Sequence, residues 1–66
     1  MKIKLNGQEK EFAGAQTLQS IIEQFCREHR RIIAEVNGEI VKSPRWVETL
    51  LKDGDAIELV SFVGGG

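Results

Sequence analysis

At 66 residues the chain makes one domain, able to bury only about 60% of the surface it exposes when unfolded, so a core and an enclosed substrate pocket compete for the same side chains. Its 41% apolar and 29% charged residues describe an ordinary globular protein, and a net charge of −1 with mixed signs leaves no basic stripe for nucleic-acid phosphates. No apolar run approaches membrane-spanning length, the N-terminus lacks signal-peptide features and one cysteine closes no internal disulfide, so the expected location is the cytoplasm, with neither membrane nor nucleic acid as partner.

Met1, Ile3 and Leu5 alternate with Lys2 and Lys4, the pattern of a half-buried strand. Asn6-Gly7 follows, and a two-residue type I′ turn needs positive φ at both positions, so the chain reverses there. The return segment, residues 8–13, carries Phe12 as its one large apolar side chain. Glu9, Lys10 and Glu11 mark it as an edge strand guarded by charge. Leu18, Ile21, Ile22 and Phe25 then fall at i, i+3, i+4 and i+7, one apolar stripe on a helix expected over residues 18–28. Thr17 is the expected N-cap, and Arg27, His29, Arg30 and Arg31 put positive charge at the C-terminal end of the helix dipole.

Residues 31–37 read as a strand, with Ile32, Ala34 and Val36 on one parity. A second Asn-Gly, Asn37-Gly38, turns the chain into a short segment around Ile40 and Val41. Pro44 suits the first position of a short helix whose expected apolar side is Trp46, Val47, Leu50 and Leu51. Residues 52–55 form a tight turn, in which Asp53 and Asp55 flank Gly54 and are expected to bond local backbone rather than act as a catalytic pair. Residues 56–63 are the last strand. Gly64, Gly65 and Gly66 follow it.

Four or five strands and one main helix bury their apolar faces by laying the helix across one side of the sheet. The strongly β-forming last strand belongs in the middle. The expected class is therefore α+β: a β-grasp, ubiquitin-like fold over residues 1–63, with residues 64–66 as a flexible glycine tail.

Two features carry function. Three successive glycines arise by chance at a given place with a probability on the order of 3 × 10⁻⁴ at background usage. The plain alternative is a frayed terminus. A terminal carboxylate that must enter a narrow catalytic channel needs a slim, unbranched approach, and glycine supplies one. The Gly66 carboxylate is then the candidate acyl group, with Gly64 and Gly65 as its tether. A free carboxylate is a poor acyl donor and is ordinarily activated by ATP. The chain has no P-loop, so activation falls to a partner enzyme. In the last strand, Ile57, Leu59 and Val63 share one parity, while Ala56, Val60 and Phe62 share the other. An apolar second face beside the tail reads as a docking surface, with Val60 and Phe62 as its candidate contacts.

Cys26 lies on the flank of the helical stripe and reads as a structural thiol. One cysteine and one histidine, His29, make no metal set, and nothing evident orients them as a catalytic pair. Trp46 reads as core.

Along essentially its whole length the sequence resembles the ThiS family, the sulfur carriers of thiamine biosynthesis. The matching residues are Asn6-Gly7, Thr17-Leu18, Val36-Asn37-Gly38 with Ile40-Val41, Pro44, Trp46, Leu51-Lys52-Asp53-Gly54-Asp55, Phe62-Val63 and Gly65-Gly66. The resemblance implies that the chain is a protein cosubstrate rather than an enzyme. A ThiF-type adenylyltransferase would use ATP to adenylate Gly66, and a cysteine-desulfurase persulfide would convert it to a thiocarboxylate. Thiazole synthase, ThiG, would accept the sulfur while building the thiazole from 1-deoxy-D-xylulose 5-phosphate and a glycine-derived imine. It implies no bound cofactor, the covalent thiocarboxylate apart, and a monomer when free. Gly64 extends the family's minimal tail. A sulfur carrier for molybdopterin synthesis and a ubiquitin-like protein modifier are the alternatives, because the glycines would serve either chemistry.

Overall fold

Two Asn-Gly pairs set the frame of the chain. In the computed structural model, which describes residues 1–26 and 31–61, Asn6 and Gly7 take φ of 50° and 83°, and Asn37 and Gly38 take 53° and 86°. These are the left-handed angles of the expected turns; asparagine tolerates them and glycine adopts them without steric cost. The first turn joins β1 (Lys2–Leu5) to β2 (Gln8–Glu11), and the second joins β3 (Ile32–Val36) to β4 (Glu39–Val41). With β5 (Ala56–Ser61) they form one mixed sheet in the order β2-β1-β5-β3-β4. The last strand is central, parallel to β1 and antiparallel to β3. This is the β-grasp arrangement expected from the pattern of elements.

The sheet's inner face is covered by α1 (Leu18–Phe25) and a 3₁₀ turn over Ser43–Glu48. Thr17 caps the helix as expected: the Ser20 N–H donates to Thr17 Oγ1 at 3.1 Å, and the Thr17 N–H donates back to Ser20 Oγ at 3.0 Å. That reciprocal pair satisfies two donors the helix start would leave open. Leu18, Ile21 and Ile22 are fully buried against Ile3, Leu5, Ile57 and Leu59. Burial of each such side chain stabilises the fold by about 1.5–3 kcal/mol.

Four expectations are corrected. The helix ends at Phe25, because Cys26 is extended (φ −127°, ψ 133°) and its N–H makes the closing bond to the Ile22 carbonyl; residues 27–30, including His29, lie outside those described. Phe25, the fourth member of the stripe, is 45% exposed. So short a helix carries it past the core, where it meets Phe12 edge-on at 6.4 Å and lies under the Lys10 ammonium. The second helical segment is a 3₁₀ turn that ends at Glu48, with Trp46 buried and Val47 exposed; Leu50 and Leu51 lie beyond it, where Leu50 bridges to Thr17 and is exposed while Leu51 is buried. The helix stops before a single α-helical face could join the four residues. Trp46 packs as core and donates its indole N–H to the Val41 carbonyl at 2.8 Å.

β2 is also shorter than residues 8–13, although the Phe12 N–H still bonds the Met1 carbonyl. No helix among the described residues is long and apolar enough to cross a membrane.

Candidate functional site

β5 carries the chain toward the three glycines, so what holds β5 sets where that segment starts. Both asparagines of the Asn-Gly turns fasten it. β1 stops at Leu5, where the Asn6-Gly7 turn begins, which leaves β5 without a β1 backbone partner beyond Ile57 on that side. The Asn6 side chain fills the gap: its Oδ1 accepts from the Leu59 N–H at 2.8 Å and its Nδ2 donates to the Leu59 carbonyl at 3.2 Å. At the other end Asn37 Oδ1 accepts from the Ala56 N–H, and Asn37 Nδ2 donates to Asp55 Oδ1, each at 2.9 Å. Asp55, the one buried charged residue among those described, also accepts the Lys52 N–H at 2.8 Å. It therefore closes the local turn as its position beside Gly54 suggested. Asp53 instead accepts the Lys2 backbone N–H at 2.7 Å and ties the turn to β1.

The outer face of the sheet is open. Val60 points there and is 50% exposed, and Ala56 shares its parity, as expected. The register adds residues that strand-by-strand reading had not assigned to this face. Ile33 of β3 lies directly opposite Val60, and Ile40 of β4 stands one position diagonal to it, opposite Glu35. They are 41% and 65% exposed. Ile33 had a signal: it is an apolar residue out of phase with Ile32 and Ala34, the same two-faced pattern that exposed Val60. Ile40 could be placed only with the strand pairing in hand. Phe62, the other expected contact, lies outside the described residues, as do Val63, Gly64, Gly65 and Gly66.

Cys26 does not look like a nucleophile. It is half-buried against the core, and desolvation pushes its thiol pKa up, which lowers the thiolate fraction at neutral pH. Among the described residues no three His, Cys, Asp or Glu side chains gather to hold a metal ion.

Comparison with known proteins is consistent along the whole chain. The ThiS family model matches residues 3–66. The sulfur carrier protein ThiS of Bacillus subtilis (strain 168) is 37% identical over 65 residues, 97% of this chain and 98% of that protein. Its counterpart in Escherichia coli (strain K12) is 30% identical over 66 residues, the full length of both. A thiazole synthase of Paramagnetospirillum magneticum is 33% identical over all 66 residues, but the chain spans only 20% of that larger protein. The crystal structure of thiamine biosynthesis protein ThiS from Geobacter metallireducens superimposes with a TM-score of 0.85 at 28% identity, covering both chains completely.

Proposed function

The chain belongs to the ThiS family of sulfur carrier proteins, and we propose that its sulfur is carried on Gly66 as a thiocarboxylate and delivered to thiazole formation in thiamine biosynthesis. The observation that carries this reading is the full-length match to two ThiS sulfur carriers in a chain whose final residues are Gly64, Gly65 and Gly66. The thiazole synthase that contains a stretch similar to the whole chain supports the thiazole pathway over the molybdopterin one and supports such an enzyme as the sulfur acceptor.

The chemistry runs in three steps, each catalysed by a partner. In the active site of a ThiF-type enzyme, a Gly66 carboxylate oxygen attacks the α-phosphorus of ATP. Pyrophosphate leaves and an acyl adenylate remains. The terminal sulfur of a persulfide, formed by a cysteine desulfurase, then attacks the acyl carbon and displaces AMP. A second thiol cleaves the resulting acyl disulfide, leaving the thiocarboxylate and an oxidised disulfide. The carrier contributes the leash and the docking face. Glycine keeps the leash slim, and three residues reach about 10 Å. The outer face that carries Val60, with Phe62 as the further contact expected from sequence, orients the carrier while the leash enters the partner.

Incubation with ATP, the adenylating enzyme and a persulfide donor, followed by intact mass measurement, tests the proposal. The expected gain is the difference between one sulfur and one oxygen, and a variant lacking Gly66 should show none. An unchanged mass with demonstrably active enzyme refutes it.

A further inference from the structure

Near its end β5 is held differently on its two sides. The Lys4 N–H bonds the Asp55 carbonyl and the Asn6 N–H bonds the Ile57 carbonyl, whereas the Asn37 N–H bonds the Ala56 carbonyl. Odd-numbered residues of β5 therefore turn their backbone groups toward β1, and even-numbered ones turn theirs toward β3. On the β3 side the pairing continues through Val60 and Ser61. On the β1 side the strand register ends at Ile57. The next groups facing that way are the Leu59 N–H and C=O, and Asn6 supplies a partner to each, at 2.8 and 3.2 Å. One side chain stands in for the strand residue that the turn removes.

We propose that Asn6 is a positioning residue for the transfer at Gly66: it keeps Leu59 in the sheet and so fixes the point and direction from which residues 60–66 run to the partner's active site. The proposal rests on the sulfur-carrier reading and adds to it a group that acts only through the backbone of β5. Without the clamp, β5 is anchored on its β1 side two residues earlier, at Ile57. The tether ending at Gly66 then grows from seven residues to nine. Effective concentration falls roughly as the −3/2 power of tether length, so the added length alone costs less than about twofold. Direction matters more, since misplacing a reacting group by about 1 Å costs on the order of 100-fold. A strand end held on one side pivots about its β3 bonds, and the tether swings with it. Val60 moves less, because it is paired with Ile33 on the β3 side. Loss of the clamp is therefore expected in kcat and not in KM.

The test follows pyrophosphate release by a ThiF-type adenylating enzyme with the carrier as varied substrate, well below the melting temperature of every variant. Asn6→Gly accepts the φ of the turn and loses both bonds; it should lower kcat about tenfold and keep KM within about twofold of the parent's. Asn6→Asp keeps an acceptor for the Leu59 N–H, loses the donor to its carbonyl and should fall between the two. It decides alone if the glycine variant does not fold, and a parent-like kcat then refutes the clamp. Thr17→Ala removes the helix cap, destabilises the chain away from β5 and should keep the parent's kcat. Amide exchange at Leu59, read by NMR, should quicken more in Asn6→Gly than in Thr17→Ala. The positioning role is overturned by a kcat loss in Asn6→Gly of twofold or less, by a loss confined to KM, or by an equal kcat loss in Thr17→Ala. Failure of the parent itself to release pyrophosphate with enzyme of proven activity sinks the carrier reading instead.

Discussion

Replacing Asn6 should cost more than its place in a surface turn suggests. Asn6→Gly keeps a residue that accepts φ near 50°, but it removes both side-chain bonds to Leu59. Each is worth about 1 kcal/mol net, and the Leu59 N–H and C=O are left without their partner, so the expected loss is about 2 kcal/mol. Asn6→Ala loses the same bonds and also places a β-carbon in the left-handed region, which adds roughly 1–2 kcal/mol, for a total of about 3–4 kcal/mol. A domain of this size has a total stability of roughly 3–10 kcal/mol, so the alanine variant could be largely unfolded at 37 °C. The assay is urea denaturation followed by fluorescence of Trp46, the single tryptophan and a buried one. Both variants should show a lower midpoint with an unchanged slope, alanine lower than glycine. If the glycine variant unfolds at the parent's midpoint, the Asn6–Leu59 bonds contribute nothing and the account of how β5 is held is wrong.

Ile22→Ala, at a position of α1 with no solvent exposure, should destabilise by about 2–5 kcal/mol in the same assay; a loss below 1 kcal/mol would mean that the helix does not seal the core. Val60→Asp, at a half-exposed position on the outer face, should leave the melting temperature within a few degrees of the parent while slowing thiocarboxylate loading at least tenfold. Loading at the parent's rate would remove Val60 from the docking face. Burial raises the Cys26 pKa, so the thiolate forms at higher pH in the folded chain than in the unfolded one. Alkylation by iodoacetamide at pH 8 should accordingly be slower in the native protein than in urea, and the native rate should keep rising to a higher pH; faster native alkylation would contradict the burial.

The resemblance to the ThiS family also bears on these expectations, because nothing in the glycine tail distinguishes sulfur transfer from protein modification. The cargo follows from similarity along the chain, whereas the docking face follows from alternation and strand register. The two lines of argument can fail separately.

Local chemistry determined much of this protein without reference to the rest of the chain. Two Asn-Gly pairs dictated two type I′ turns, Thr17 dictated where the helix begins, and alternation in residues 56–61 dictated which side chains face the core. Each signal acts over a few residues, through φ preference, a capping oxygen or the two-residue period of a strand, so it can be read from sequence. The tertiary structure decided what depends on distant segments meeting. Asn6 and Leu59 are 53 positions apart, and nothing local to either indicates that one side chain serves the other's backbone. Glu35 faces Glu58, and Ile33 faces Val60, only because β5 inserts between β1 and β3 in one particular register. A shift of β5 by one residue would send Glu58 and Val60 to the opposite face, away from Glu35 and Ile33, so the chemistry of the outer surface belongs to the pairing and not to either strand alone.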